Sequence, residues 1–157
     1  MTNPNIDDIR NSIVIPVYRN ADSIRELLLD LEWVADHTEG RMEVVFVVDG
    51  SPDDSYSILQ SLLSTWRIQS KLIGLSRNFG SFSAIRVGLQ RAQGQYIVVM
   101  AADLQDPPEF AQQALVELAR GTSDIVIATR SGRDDPLPSR IMSSAFWGLY
   151  RALIVRD

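Results

Sequence analysis

The 157 residues include no cysteine and a single histidine, His37. Disulfides and thiolate chemistry are therefore excluded, and a multi-histidine zinc site cannot be assembled. Any metal handled here must be a hard ion on oxygen ligands. Positive charge is also short: the formal net charge is -5, which argues against binding nucleic acid by neutralising its phosphates. No apolar stretch approaches the roughly 20 residues of a membrane-spanning helix. The first residues, MTNPNIDDIRN, have no basic segment leading into an apolar run, so a signal peptide is not expected and a cytoplasmic location is. No G-x-G-x-x-G follows the first apolar run, which removes the main support for a dinucleotide-binding oxidoreductase. Internal repeats, low-complexity tracts and long linkers are also missing.

What remains is an ordinary globular composition, 45% hydrophobic and 22% charged, enough for one domain with a real core. Short apolar runs alternate with helical periodicity. Ser12 to Val17, Met42 to Val48, Lys71 to Ser76, Gln95 to Ala101 and Asp124 to Thr129 read as five strands. Ala21 to His37, Tyr56 to Trp66, Phe82 to Ala92 and Pro108 to Arg120 read as the helices between them. Strands this hydrophobic on both faces imply a mostly parallel α/β sheet with helices on both sides. In such sheets the ligand crevice lies beyond the carboxyl ends of the strands. Polar residues follow four of the strands: Tyr18, Arg19 and Asn20, then Asp49, Gly50 and Ser51, then Arg77 and Asn78, then Asp103, Gln105 and Asp106. One crowded rim suggests one site. From Pro136 to Asp157 a last helical pattern, with Phe146, Trp147, Tyr150 and arginines, stops without a cap; a domain cut short is expected, its last helix either a membrane-surface element or a core helix.

Each polar cluster has a chemical and a structural reading. Asp103 and Gln105, two residues apart at a strand end, offer oxygens suited to Mg²⁺ or Mn²⁺, while Asp106 before Pro107 suits a turn and a helix cap. Asp49 could accept bonds from a nucleobase or ribose; Ser51, Asp53 and Asp54 suit turn and capping chemistry. Arg77, Asn78 and Gly80 before a helix would suit an anion but are also turn formers. Phe79 and Phe82 are expected in the core. Tyr18 offers a flat face for a base, with Pro16 orienting the chain. Arg130, Arg133 and Arg140 form either a solvated face or a phosphate site.

The segments SIVIPVYRN, VVFVVDGSPDDS, LSRNFGSFSAIRVGL and MAADLQDPPEF, in that order and spacing, resemble the inverting family 2 glycosyltransferases of GT-A fold, in the dolichyl-phosphate mannosyltransferase and polyprenyl-phosphate glycosyltransferase branch. The resemblance divides the chain into a tail, residues 1–11, and an incomplete GT-A domain, residues 12–157. It implies transfer of a sugar from a nucleotide-diphosphate donor to a polyprenyl phosphate at the cytoplasmic face of a membrane. Pro16, Tyr18 and Asp49, with Ser51, would then hold the nucleotide. Asp103 and Gln105 would hold a divalent ion and the diphosphate, and Arg130 and Arg140 the acceptor phosphate, with Asp103, Arg130 and Arg140 as the catalytic set. The family usually reads DADLQ where this chain has Ala101 to Gln105, so weaker metal binding is expected. An unpaired sheet edge would favour a homo-oligomer, and peripheral membrane contact is a separate expectation. The rival reading is a non-catalytic nucleotide-sugar binding or assembly module.

Overall fold

The computed structural model of the protein describes residues 9–129. The chain divides into two compact units, Met1–Ile127 and Ala128–Asp157, and the architecture below is that of the first. Its elements alternate: β1 (Ile9–Val17), α1 (Ile24–Asp36), β2 (Arg41–Val48), α2 (Ser55–Leu63), β3 (Gln69–Gly74), α3 (Ser81–Arg91), β4 (Tyr96–Val99) and α4 (Pro108–Ala119). All strand pairings are parallel, in the order β3-β2-β1-β4. The expected α/β sheet is therefore present. Its first strand begins at Ile9, upstream of Ser12.

The two central strands explain the two layers of helices. Side chains alternate across a strand, so Ile13, Ile15 and Val17 of β1 join Val44, Phe46 and Val48 of β2 on one face, where α1, α2 and α4 cover them through Leu27, Leu31, Leu59 and Leu115. Val14, Val45 and Val47 point to the other face and meet Ala84 of α3. Only small residues let α3 come this close. A Cβ built on Gly88 would lie 2.3 Å from the Val14 Cγ1 atom, inside any tolerable contact.

One expectation fails. Residues 124–129, DIVIAT, form no strand, and Ile125 and Ile127 are 76% and 77% exposed. Strand propensity is expressed only where a ladder and a packing surface receive it, and this run pairs with no strand among the described residues. Among those residues, too, no helix is long and apolar enough to cross a membrane.

At the end of the sheet where β1 and β2 begin, a buried charge ties elements together. The Glu43 side chain is fully buried. Its Oε1 accepts bonds from the Ser12 hydroxyl at 2.8 Å and the Gln93 amide at 2.6 Å. Lys71 Nζ of β3 lies 2.7 Å from its Oε2, an ion pair rather than an aligned hydrogen bond. Removing one member of a buried pair leaves the other uncompensated. Lys71→Met should therefore lower the free energy of unfolding by about 3 kcal/mol in chemical denaturation, and adding Glu43→Gln should recover part of that loss. Equal stability of Lys71→Met and the parent would contradict this role.

Candidate functional site

A cleft of about 390 Å³ opens beyond the carboxyl ends of the strands, within the size range of small-ligand sites. After β1 it is lined by Pro16, Tyr18 and Asn20, and after β2 by Asp49. Asn78 and Ser81 flank it after β3, and Ala101 and Asp103 after β4. Four strand ends thus share one cavity, as the sequence pattern implied. Asn20 stands on the rim the sequence pattern named, whereas Ser81, an ordinary helix-start residue, and Ala102, with no polar side chain, carry no such signal in the sequence.

Asp49 organises this cleft. It is only 2% exposed, and both of its carboxylate oxygens are hydrogen-bonded. Oδ1 accepts the Phe79 N–H and Oδ2 the Gly80 N–H, each at 2.8 Å. Two charge-assisted bonds offset the desolvation of the carboxylate. They also fix the loop that carries Asn78 and Ser81 to the cleft. The approach is backbone to backbone: Gly50 has φ +58°, and a Cβ there would sit 2.2 Å from the Arg77 carbonyl carbon. Gly50 is required on both counts.

The loop after β1 is held from the loop after β2. Arg19 donates its N–H to the Ser51 hydroxyl at 2.8 Å, and that hydroxyl donates to Asp53 Oδ1 at 2.6 Å. Asp53 Oδ2 accepts the Ala21 N–H at 3.1 Å, and the Ser55 hydroxyl accepts the Asn20 N–H at 3.2 Å. Tyr18 donates its N–H to Asn20 Oδ1 at 2.9 Å. Arg19 is left-handed at φ +56°, a conformation costing a non-glycine residue about 1 kcal/mol or more, which the surrounding bonds must offset. The arginine lies over the Tyr18 ring, 5.4 Å from its centroid. Ser51 is thus a bridge between loops, and the cleft lining does not include it although it was expected among the residues holding the nucleotide.

The loop after β4 presents Asp103. The Ser23 hydroxyl donates to the Ala102 carbonyl at 2.7 Å, pinning this loop to the start of α1. Leu104 is left-handed at φ +59° and packs against the main core. That turn sends Asp103 out exposed at the cleft, where its Oδ1 accepts the Gln105 N–H at 3.2 Å. Gln105 is exposed and outside the lining. Pro107, not Asp106, occupies the N-cap position of α4. Arg130, Arg133 and Arg140, and the helix carrying Phe146 to Tyr150, lie outside the described residues.

Two aromatics overturn their expectation. Phe79 is 48% and Phe82 87% exposed. Because α3 packs on the sheet through Ala84 and Gly88, the opposite stripe of the helix faces outward.

The side chains at the cleft limit how a divalent ion could be held. Among the described residues no three His, Asp or Glu side chains gather. Asp49 is committed to two amides, Ala101 brings no ligand, and Asp103 is the one exposed carboxylate lining the cleft. This set fits an ion that arrives on a diphosphate, with phosphate oxygens completing its shell; it does not fit an ion held by protein alone.

The family model for Glycosyl transferase family 2 matches residues 12–155. The chain belongs to that family. This family 2 chain is 40% identical over 138 residues to an undecaprenyl-phosphate 4-deoxy-4-formamido-L-arabinose transferase of Pseudomonas savastanoi pv. phaseolicola, covering 85% of the chain and 41% of the relative. It is 42% identical over 127 residues to the uncharacterized glycosyltransferase YkcC of Bacillus subtilis, covering 80% and 38%. The family 2 chain thus spans about two fifths of the length of these curated relatives. Among solved structures, S. aureus TarS 1-349 in complex with UDP-GlcNAc superposes with a TM-score of 0.61 at 24% identity, over 82% of this chain and 37% of that one. The mannosyltransferase PcManGT of Pyrobaculum calidifontis, in complex with GDP-Man and Mn²⁺, does so with a TM-score of 0.60 at 24% identity, over 74% and 34%. The fold is GT-A.

The Asp53 network generates a pH prediction. Burial acts to raise the pKa of this carboxyl, but bonds from the Ser51 and Ser55 hydroxyls and the Ala21 and Ser55 amides outweigh it and bring it down to about 2. A carboxyl depressed on folding stabilises the native state above its unfolded pKa, and that contribution is lost as pH falls through the folded pKa. Stability should decline by about 1 kcal/mol between roughly pH 4 and pH 2 through Asp53, after allowance for solvent screening. Urea denaturation across that window should show a shallower slope for Asp53→Asn; an unchanged slope would rule the network out as the cause.

Proposed function

We propose that this chain is the donor-binding part of a glycosyltransferase that moves a sugar from a nucleotide-diphosphate sugar to a polyprenyl phosphate at the cytoplasmic face of a membrane. The observation that carries the proposal is the meeting of Pro16, Tyr18, Asp49 and Asp103 in one cleft of a family 2 chain. The relatives named for undecaprenyl phosphate support the acceptor class, and the sugar-nucleotide complexes of fold neighbours support the donor class.

Each residue has a task its surroundings permit. Tyr18 and Pro16 present a flat apolar edge to a base. Asp49 acts mainly through the loop it holds, keeping Asn78 and Ser81 at the cleft. Asp103, with Gln105 beside it, faces the diphosphate; Mg²⁺ or Mn²⁺ bound there would neutralise charge on the leaving nucleotide. The acceptor is a phosphate oxygen already largely ionised near neutral pH. Its bond to the anomeric carbon forms as the bond to the diphosphate breaks, so alignment of two anions is the main task. Arg130 and Arg140 are proposed to hold the acceptor phosphate. Self-association into a homo-oligomer belongs to the same proposal.

A second reading rests on Ala101. With one carboxylate facing the cleft, a nucleotide-sugar binding or assembly module without turnover is also compatible with the donor set. Titrating UDP and GDP calorimetrically, with and without Mn²⁺, tests the proposal. Metal should tighten binding of one of them, and Asp103→Ala should weaken it by roughly tenfold or more. Binding that ignores both metal and Asp103 would favour the module; no binding of either nucleotide would defeat both readings.

A further inference from the structure

We infer that the outer face of α3, with the loop entering it, docks on an anionic lipid bilayer and so brings the mouth of the cleft to the membrane surface. The inference deepens the polyprenyl-phosphate reading and rests on it for the identity of the partner. Its first support is charge distribution. Residues 55–102 contain none of the chain's 20 acidic residues and five of its 15 lysines and arginines. A chain of net charge -5 thus carries one acid-free, basic segment. Three of its five basic residues, Arg77, Arg86 and Arg91, stand on α3 and the loop before it, all exposed.

The second support is where the apolar groups stand. Phe82, Arg86 and Leu89 follow at i, i+4 and i+7, one stripe of a helix. Phe82 is 87% and Leu89 43% exposed, and Arg86 is exposed between them. Phe79, 48% exposed, continues the stripe into the loop, with the Arg77 guanidinium 4.8 Å from its ring centroid. Among the described residues neither Arg77 nor Arg86 pairs with a carboxylate. Exposed Phe and Leu interleaved with arginine, on the face opposite Ala84 and Gly88, is the pattern of a helix lying in a membrane interface. Apolar tips enter the headgroup boundary, and each arginine near the surface gains from anionic lipid.

The third support is position. Asn78 and Ser81 line the cleft, and the residues next to each in the chain are the exposed Phe79 and Phe82. A bilayer against this stripe would therefore offer a lipid-borne phosphate at the opening rather than at the back of the domain.

The test is co-sedimentation of the 157-residue chain with vesicles of phosphatidylcholine alone or with phosphatidylglycerol added, each at low and high salt. The chain should pellet with the anionic vesicles only, and less at high salt. Phe82→Ser with Arg86→Gln should reduce partitioning about tenfold. Both positions lie outside the cleft lining, so calorimetric nucleotide binding and circular dichroism should match the parent. Equal pelleting of parent and double variant, or none by either, would overturn the inference. So would a double variant that changes only the oligomeric state in sedimentation velocity, since the stripe would then contact a second copy. Vesicle binding without nucleotide binding would leave the lipid face standing and remove the donor reading.

Discussion

A buried carboxylate must find donors, and Asp49 finds them in the backbone of another strand's loop. Its two bonds, to the amides of Phe79 and Gly80, join the end of β2 to the start of α3. Gly50 next to it removes the Cβ that would keep the two loops apart. The consequence reaches past local stability. Asn78 and Ser81 line the cleft because that loop is held down, and the exposed aromatic stripe of α3 begins where the same loop ends. A single acid thus fixes the loop that lines the cleft and the face beside it.

The other loops obey the same economy of polar groups. Side chains from the β2–α2 turn satisfy the backbone after β1, and Ser23 satisfies the carbonyl before Asp103. Two residues in this rim, Arg19 and Leu104, take left-handed conformations that only such over-determined surroundings sustain. Asp103 is treated differently. It emerges exposed, with one local amide for company, which leaves its charge available to a ligand. Ala101 adds no carboxylate to the lining, so a cation there would need phosphate oxygens to complete its shell.

The frame of the fold was legible because β1 and β2 carry unbroken apolar runs, which only a strand covered on both faces can use. The helices were legible from their spacing, and the cleft from polar residues following successive strands. Less could be read where partners decide the outcome. DIVIAT has the composition of a strand but pairs with nothing among the described residues, so composition alone misled. Phe79 and Phe82 looked like core because hydrophobicity says nothing about which side of a helix is covered; Ala84 and Gly88 decide that. The role of Ser51 was legible as turn chemistry, while the reach of Ser23 to a carbonyl 79 positions away left no local trace. Asp49 was recognised as the acid at a strand end, but not as the holder of a distant loop.

Amide hydrogen exchange read by NMR on the parent and on Asp49→Asn, with nucleotide binding followed on the same samples, tests the central claim most directly. If Asp49 holds the loop, the Phe79 and Gly80 amides are protected in the parent, and the variant loses that protection together with binding of the nucleoside diphosphate. Unprotected amides in the parent, or a variant that loses protection yet binds nucleotide as tightly as before, would contradict it.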